Sequence, residues 1–352
     1  MKLVSVTLSG NCDAIIADAI HSVLEWVDNV ILIDTGIKDR TIEVARKIAG
    51  DKLVVKNYPW KNDFAAARNY SLECAKEENA DWAIILDTDE RIVSNGVNFR
   101  DYLESTKFNC IAINDRGRTY QKARFFRIPV TEKFYGPTHE VFPAYKVGSC
   151  TEENSHFWEV GKNPEQLKNK FQRDIDILLK HTKKNPNDPR WFYYLGESYK
   201  NIGNQNEAIR AYTKCHELNG WDEESAWSMY RAAECYISQD KLQNAIEALA
   251  RGIGRHPGLA DLYWLAGRCA YKLNRYHHAI MWSRQAINMG LYSGHGSSFE
   301  RIGFRHPPAL YEGPYDVIRW SAKAINDAKL VEWSEAEFQK SMSARENSGK
   351  VV

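Results

Sequence analysis

The 352-residue sequence lacks the features that mark several large classes of protein. No apolar run approaches the roughly 20 residues that a helix needs to cross a bilayer, and the N-terminal segment has no uninterrupted apolar stretch followed by a small-residue cleavage site. Charge is nearly balanced, at 47 Lys and Arg against 46 Asp and Glu, without a long basic block. We therefore expect no transmembrane segment, no export signal and no binding to a nucleic-acid backbone.

Cysteine is present but not in the patterns that build disulfide frameworks or zinc sites. The seven cysteines are an odd number, they are widely scattered, and none belongs to a Cys-x-x-Cys pair. Reduced thiols and a cytoplasmic location are the expectation from this usage.

The first part of the chain, up to about residue 115, alternates short apolar runs with longer amphipathic stretches. The apolar runs are rich in Val and Ile, as in LVSVTL, VILIDTG, KLVVKNY and WAIILDTDE. This alternation predicts repeated β-α units and a mixed, mainly parallel sheet that is buried on both faces. Ligands bind such sheets beyond the carboxyl ends of the strands, and polar residues follow two of these runs.

From about Pro189 the strand signal stops and a helical pattern recurs. Three copies begin at Phe192, Met229 and Tyr263, spaced by 37 and 34 residues, and each carries small residues one turn later. The spacing is typical of tetratricopeptide repeats, in which small residues let paired helices approach closely. A weaker pair is predicted over residues 314–326 and 334–342, after a loop from Ser293 to Gly313 that is rich in Gly, His and Pro.

The strongest local signal is an Asp-x-Asp (DXD) motif, Asp87-Thr88-Asp89, directly after an apolar strand. Two carboxylates at positions i and i+2 can face one ligand if the backbone bends as it leaves the strand. One can then hold a ribose hydroxyl while the other holds a hard divalent cation. A solvated acidic turn is the alternative, because such triplets are common on surfaces, but the position after a buried strand favours a ligand site.

Three more polar residues are predicted near the same edge. Asp34 ends the second strand and is suited to accept from a base N–H or a ribose hydroxyl, although, taken alone, it is better explained by a plain strand-to-helix turn. Asp63 is placed to cap a helix, and Arg68 would lie on the second turn of that helix, within reach of a phosphate. An isolated helical arginine is more often a solvated surface residue.

Two histidine-containing segments follow. A glycine loop leads to the pair His139-Glu140, and Ser155 precedes His156. Each histidine, taken alone, is better explained as a structural residue. Glu140 has its own alternatives, a cap of the helix or turn after Pro137 or an ion pair with a nearby arginine such as Arg124 or Arg127.

Taken together, these segments resemble the family 2 glycosyltransferases of the A-type fold, in particular the bacterial branch related to lipopolysaccharide-core glucosyltransferases and peptide S-glycosyltransferases. That branch joins an acid-Thr-Gly turn, a Trp-x-x-Asp-Phe-Ala-x-Ala-Arg-Asn block, an Asp-x-Asp-Glu strand end and a Gly-x-x-His-Glu loop. The matching segments here, in the same order, are Asp34–Thr41, Trp60–Asn69, Asp87–Glu90 and Gly136–Glu140.

The resemblance implies an A-type nucleotide-diphosphosugar transferase domain over residues 1–185, followed by an all-α, tetratricopeptide-type array over residues 186–352. It also implies how the donor, a UDP-sugar, would be held. By position, Leu8 and Asp34 would lie against the base, Asp63 and Arg68 would help to hold the nucleotide, and Asp87 would meet the ribose.

The resemblance further implies the chemistry. Asp89 and His156 would bind Mn²⁺ or Mg²⁺, and Glu140 would be the catalytic base of an inverting displacement. Two departures weaken the expected contacts to the base or the choice of donor: Gly10-Asn11-Cys12 replaces the usual Lys-Asn-Glu, and Ile37 replaces the usual Ser.

Two other functions are compatible with parts of the sequence. The first part of the chain could be a degenerate sugar-binding or scaffold module that acts through the repeats. A nucleotidyltransferase would share the carboxylates, but it would need a glycine-rich, basic phosphate loop, and Ser9-Gly10-Asn11 is short and uncharged. The acceptor, whether protein, peptide or glycan, and any homo-oligomer or protein partner of the repeats stay open.

Overall fold

The computed structural model describes residues 1–118, 120–292 and 303–348. The chain divides into two compact units, which we call the sheet unit (Met1–Gln166) and the repeat unit (Leu167–Val352). In the described part of the chain, no helix combines the length and the apolarity that a membrane crossing requires.

The sheet unit is built on one mixed sheet. Its strands, among the described residues, are β1 (Leu3–Ser9), β2 (Asn29–Asp34), β3 (Leu53–Asn57), β4 (Trp82–Ile85), β5 (Glu90–Val93), β6 (Cys110–Asp115), β7 (Gln121–Arg127) and β8 (Ser149–Glu159). They lie in the order β3-β2-β1-β4-β7-β6-β8-β5. The first four strands of that order run parallel, while β7 pairs antiparallel with both β4 and β6. The predicted mixed α/β sheet is confirmed.

The apolar strands are buried on both faces because helices cover the sheet from either side. Along β2, Val30 and Leu32 belong to one core cluster, whereas Ile31 and Ile33 belong to the other. Successive side chains of a strand point to opposite faces, so an uninterrupted apolar run supplies both cores at once. The helices of this unit are α1 (Ile16–His21), α2 (Thr41–Ala49), α3 (Phe64–Glu77), α4 (Phe99–Ser105) and α5 (Ala144–Val147), with a 3-10 turn at Gly50–Lys52.

The regular secondary structure of the repeat unit, among its described residues, is helical. Its helices are α6 (Pro164–Lys184), α7 (Pro189–Asn201), α8 (Gln205–Leu218), α9 (Asp222–Ser238), α10 (Leu242–Arg255), α11 (Ala260–Lys272), α12 (Tyr276–Met289), α13 (Pro307–Leu310), α14 (Gly313–Ala324) and α15 (Ala328–Ser348). Each of the three predicted repeats is a helical hairpin, and the weaker fourth pair corresponds to α14 and α15. Of the predicted loop from Ser293 to Gly313, residues 293–302 lie outside the part of the chain that the structure describes.

Small residues are required where the two helices of a hairpin meet. A Cβ atom on Gly196 would lie 2.6 Å from the ring of Tyr212, and one on Gly267 would lie 2.7 Å from Ser283 Oγ. Both contacts are closer than real side chains tolerate, so glycine at these positions sets how near the paired helices pack.

The division between the units falls earlier than the predicted boundary at residue 185. Helix α6 buries Ile175 and Leu178 in a cluster with Trp191 and Leu195 of α7. Because that apolar face packs on the repeats, most of α6 belongs to the repeat unit and the sheet unit ends at Gln166.

Candidate active site at the carboxyl edge of the sheet

The predicted site residues at the carboxyl ends of β1, β2 and β4 lie at one edge of the sheet. Parallel pairing places Leu8 beside Ile33 and Ser9 beside Asp34, and β4 pairs with β1 on its other side before the chain reaches Asp87. The carboxyl ends of these neighbouring strands therefore form the edge at which ligands bind in such sheets. Leu8 itself packs, half-buried, against the core on one face.

Asp34 lies at the end of β2 as predicted, and one of its oxygens is engaged by the following turn. Asp34 Oδ1 accepts hydrogen bonds from the backbone N–H groups of Gly36 and Ile37, both at 2.7 Å. Gly36 has a φ of +119°, a conformation that favours glycine. The carboxylate thus shapes the strand-to-helix turn, and Oδ2 remains the oxygen through which a ligand contact is predicted.

Helix α3 begins where the sequence predicts, and it carries an arginine into the site. Asp63 Oδ1 caps the helix by accepting from the backbone N–H of Ala66 at 2.9 Å. On the second turn, the Arg68 side chain is only 11% exposed. Its Nη2 donates to Asp87 Oδ1 at 2.8 Å, and its Nε donates to Glu140 Oε1. Arg68 is therefore a buried bridge between two carboxylates, not a solvated surface residue.

The bridge continues through β7 as a series of alternating charges. Arg124 Nη2 donates to Asp87 Oδ2 at 3.2 Å and also to Glu90 Oε1, and Lys122 Nζ donates to Glu90 Oε1 at 2.9 Å. Lys122 also pairs with Glu159. We call this series the ion-pair chain; in order it is Glu140, Arg68, Asp87, Arg124, Glu90, Lys122 and Glu159.

The partner of Glu140 differs from the alternative that the sequence suggested. Arg124 contacts Asp87 and Glu90, and Arg127 Nη2 donates to the carbonyl of Thr106 at 2.8 Å. Glu140 pairs instead with Arg68, which is 72 residues away in sequence. The reason is the register of the sheet, which sends Arg127 away from the site end of β7, opposite Trp82 at the start of β4.

Electrostatics keep the centre of the ion-pair chain charged. Burial alone would raise the pKa of Asp87, but the cationic Arg68, Arg124 and Lys122 outweigh it and hold that pKa well below its usual range. Burial alone would lower the pKa of Arg68, but the negative charges of Asp87 and Glu140 outweigh it and raise that pKa above the ordinary value. Both groups are ionised at neutral pH.

Lys122, Arg124 and Glu90 are the site residues that sequence reasoning missed. Lys122 and Arg124 are separated by Ala123 in the strand QKARFFR, so both point to one face of β7. That period-two pair of cations in a central strand is the available signal. Glu90 is fully buried and neutralised by both of them, so it is closed to an incoming acceptor.

The two predicted metal ligands lie apart. Asp89 forms an ion pair with Lys162, and its backbone carbonyl accepts from Val160 N at 2.7 Å. His156 pairs with Val93 farther along the β5–β8 ladder, and its Nδ1 lies 3.1 Å from Asn95 Nδ2.

His156 is therefore not placed beside Asp89. It precedes Glu159 by three residues of extended strand, a separation of about 10 Å at the usual rise per residue. Burial, together with Arg116 and Arg118, lowers the pKa of His156. Among the residues that the structure describes, no three His, Cys, Asp or Glu side chains form a metal-binding group.

Comparison with known proteins agrees with this architecture. Residues 6–97 match the model of glycosyl transferase family 2, and residues 201–286 match that of anaphase-promoting complex (cyclosome) subunit 3. Glycosyltransferase SunS of Bacillus phage SPbeta, and its prophage-derived counterpart in Bacillus subtilis strain 168, are each 26% identical over 207 residues, which cover 55% of this chain and 48% of theirs. The chain thus matches about half the length of these relatives.

Further similarities are to a repeat-containing protein and to solved structures. A TPR repeat-containing protein of Synechococcus elongatus is 42% identical over 72 residues, covering 20% of this chain and 16% of that protein. Among solved structures, MamA has a TM-score of 0.39 at 23% identity, over 54% of this chain and 99% of that one. The 1-349 segment of S. aureus TarS has a TM-score of 0.42 at 11% identity, over 73% and 92% of the two chains. The family match, the sheet and the hairpins show a family 2 glycosyltransferase domain followed by a tetratricopeptide-type array.

Proposed function

We propose that this chain is an inverting, divalent-metal-dependent glycosyltransferase that moves a sugar from a UDP-sugar to an acceptor. The observation that carries the proposal is the meeting of Arg68, Asp87 and Glu140 at the carboxyl edge of the sheet, in a domain of glycosyltransferase family 2. These three residues come from separate segments of the chain, and each was predicted to act on the donor or the acceptor.

The donor is expected to compete with the carboxylates for Arg68. A planar guanidinium that already binds two carboxylates presents the geometry that binds phosphate oxygens. A diphosphate entering this edge would take over some of these hydrogen bonds. Asp87 would then be released toward the ribose, while Leu8, Asp34 and Asp63 would line the nucleoside side of the site.

Asp89 is the residue proposed to hold the metal. A single protein carboxylate fits this role, because Mg²⁺ is commonly bound by one or two carboxylates together with substrate phosphates. His156 is too far along β8 to join it. Lys162 holds the Asp89 carboxylate and would have to release it to the ion. When bound, Mn²⁺ or Mg²⁺ would supply positive charge to the departing diphosphate.

Glu140 is proposed to take the proton of the acceptor. Its Oε1 accepts from Arg68, which leaves Oε2 as the oxygen for the acceptor. As the acceptor attacks the anomeric carbon, the bond from that carbon to the diphosphate breaks and the proton passes to Glu140. A single displacement of this kind inverts the configuration at the carbon. Asp89 is less suited to this role because it is the proposed metal ligand.

The acceptor and partners form the remaining part of the proposal. Helical repeats commonly present surfaces for proteins, so a protein, peptide or glycan acceptor, a protein partner or a second copy of the chain is proposed for the repeat unit. All seven cysteines are free, which supports a reducing, cytoplasmic location.

The test is release of nucleoside diphosphate from a panel of nucleotide-sugars by the full chain with Mn²⁺. We expect release from a UDP-sugar, loss of release with EDTA and recovery with added Mn²⁺. Asp89→Ala should abolish the activity, and Asp51→Ala, on an exposed turn, should leave it unchanged. Lys162→Ala should lower the Mn²⁺ concentration needed for half-maximal activity, because it removes the cation that competes for Asp89.

Each alternative has its own outcome in this assay. Release that persists in EDTA would overturn the metal requirement. Release from no member of the panel would overturn the transferase assignment and favour a scaffold that acts through its repeats.

A further inference from the structure

The segment that carries Glu140 is a short loop closed by backbone hydrogen bonds. Tyr135 and Val141 pair as an isolated antiparallel bridge, in which each N–H donates to the carbonyl of the other residue at 3.0 Å. We call residues 134–141 the Glu140 loop. Gly136 has a φ of +94°, a conformation that lets the chain turn back between the two ends of the bridge. Glu140 directly precedes the bridge, so its position depends on how the whole loop is held.

One side of the Glu140 loop rests on the sheet through aromatic rings. The ring of Phe134 lies 5.7 Å from that of Phe126 on β7, and the ring of Phe142 lies 4.9 Å from it. Phe134 and Phe142 are themselves 5.1 Å apart. Apolar burial is non-directional, whereas hydrogen bonds require defined distances and angles. The rings therefore seat the loop on β7, and its exact placement depends on polar contacts.

The asparagine that follows Arg68 on α3 supplies two of these polar contacts. Asn69 Oδ1 accepts from the backbone N–H of Phe134 at 2.8 Å, and Asn69 Nδ2 donates to the carbonyl of the same residue at 2.9 Å. The orientation of the amide follows from this pair, because an N–H needs an acceptor and a carbonyl needs a donor. Asn69 thus bonds both polar backbone groups of one residue, as a facing residue of an antiparallel strand would.

Helix α3 holds the Glu140 loop at two further points. The N–H of Phe64, the first residue of the helix, donates to the carbonyl of Pro137 at 2.8 Å. The first N–H groups of a helix have no partner within it, so they can bond an adjacent segment. Arg68 donates to the carboxylate of Glu140. The helix therefore holds Glu140 by its side chain through Arg68 and by its main chain through Asn69.

These two attachments respond differently to the proposed donor. A diphosphate would compete for Arg68, so the ion pair that holds the Glu140 side chain weakens when the donor binds. The hydrogen bonds of Asn69 go to backbone groups of Phe134 and carry no charge for a diphosphate to displace. In the reacting complex, Asn69 is the attachment that remains.

We propose that Asn69 is a positioning residue, which fixes the Glu140 loop to α3 and so sets where Glu140 meets the proton of the acceptor. This inference rests on the proposed function, in which Glu140 takes that proton. A displacement of about 1 Å at a reacting group can cost about 100-fold in rate. Asn69 should therefore affect turnover and leave donor affinity unchanged.

The first experiment compares two asparagines of the sheet unit. Asn69→Ala should lower kcat for transfer by about 10- to 100-fold, with donor affinity within about 3-fold of the wild type. The control is Asn109→Ala. Asn109 Nδ2 also donates to a backbone carbonyl, that of Val147 at 2.8 Å, but Asn109 lies beside Arg127, at the end of β7 away from the site. Its kcat should stay within about 2-fold of the wild type, and an equal loss in both variants would overturn the proposal.

A double variant separates positioning from general support of the fold. In Glu140→Gln there is no base left to position, so adding Asn69→Ala should change the residual transfer by less than about 2-fold. A further loss of about 10-fold would overturn the positioning role and leave the proposed base in place. Near-normal transfer by Glu140→Gln alone would overturn the proposed base and, with it, the role of Asn69.

A second variant covers the case in which Asn69→Ala does not fold. Asn69→Asp has the same shape and still accepts from the N–H of Phe134, but it places an oxygen in front of the carbonyl and cannot donate to it when ionised. Its kcat should fall by about 10-fold at unchanged donor affinity, and this loss should vanish in the Glu140→Gln background. A wild-type kcat, or a loss of donor affinity in step with kcat, would overturn the proposal.

Discussion

The two units bury charged residues for different purposes. In the sheet unit, the charges gather at one edge, where the ion-pair chain surrounds Asp87 and ends at Glu140. In the repeat unit, they connect the first helices of adjacent hairpins: Glu197 of α7 pairs with Arg231 of α9, and Lys200 of α7 pairs with Glu234 of α9. Because each pair joins one hairpin to the next, these pairs help to hold successive hairpins together.

This difference predicts whether a substitution in each unit should change activity or stability. A replacement that keeps the shape of a side chain at the ligand edge, as Glu140→Gln does, is expected to cost activity far more than stability. Charges that tie repeats together should show the reverse. The predictions below test this contrast, beginning with the largest expected effect.

Glu140→Gln should give the largest effect, a loss of transfer of about 100-fold or more, with donor affinity close to that of the wild type. Glutamine keeps the shape and can still accept from Arg68, but it cannot take the proton of the acceptor. Transfer and donor binding are measured separately, by product formation and by titration with the donor.

The matched control is Glu159→Gln, which alters the other end of the ion-pair chain, at a side chain that is 41% exposed. It should retain most of the activity. Near-normal transfer by Glu140→Gln, or an equal loss in both variants, would remove Glu140 from the role of base.

The sequence predicts those features of the site that depend on residues close together in the chain. The strand ends, the Asp63 cap and the position of Arg68 on its helix are determined within a few residues, and the structure confirms them. The pairing of Arg68 with Glu140 depends on tertiary register across 72 residues, and no local pattern contains it.

The same reasoning explains the placement of the predicted metal ligands. The extended geometry of β8 separates His156 from Asp89, and the chain beyond β8 brings Lys162 to that carboxylate instead. A motif match reports which residue types are present, whereas strand length and pairing decide which of them meet.

In the repeat unit, Glu197→Gln should lower stability by about 1.5–3 kcal/mol, the range for loss of a hydrogen bond to a charged group. Both carboxylate oxygens of Glu197 accept from Arg231, at 2.6 and 2.7 Å. Urea denaturation followed by hydrogen exchange in α7 and α9 measures the change. Glu217→Gln is the control: its pair with Arg251 also spans 34 residues but is exposed, so stability should stay within about 0.5 kcal/mol of the wild type.

The effect of Glu197→Gln should depend on pH with a definite sign. Burial raises the pKa of Glu197, but Arg231 outweighs it and the net pKa is lowered. A lowered pKa means that the stabilisation is complete above the unfolded value of about 4.3 and is lost as pH falls through the folded value. The difference between variant and wild type should therefore be largest near neutral pH and decline in acid. A difference that grows in acid would contradict the assigned ion pair.

The smallest effects are expected at two glycines of the repeat unit. Replacing them changes packing without changing charge. Gly196→Ala should destabilise the first hairpin by about 1–3 kcal/mol, because the new methyl group would meet the Tyr212 ring at 2.6 Å. Gly254→Ala, in α10, meets nothing within 4 Å and should instead stabilise by about 0.4–1 kcal/mol, since alanine has less conformational freedom to lose on folding.

Hydrogen exchange in α7 and α8 for the first variant, and in α10 for the second, measures both changes locally, which avoids treating a two-unit chain as a single folding transition. Stability changes of opposite sign in the two variants would show that the repeat pattern selects glycine for the close approach of the paired helices, and not for glycine as such. Stability changes of the same sign would mean that helix propensity dominates at both positions. Because neither glycine lies in the sheet unit, transfer activity should be unchanged in both variants, and a loss of activity in step with the loss of stability would break the contrast between the units.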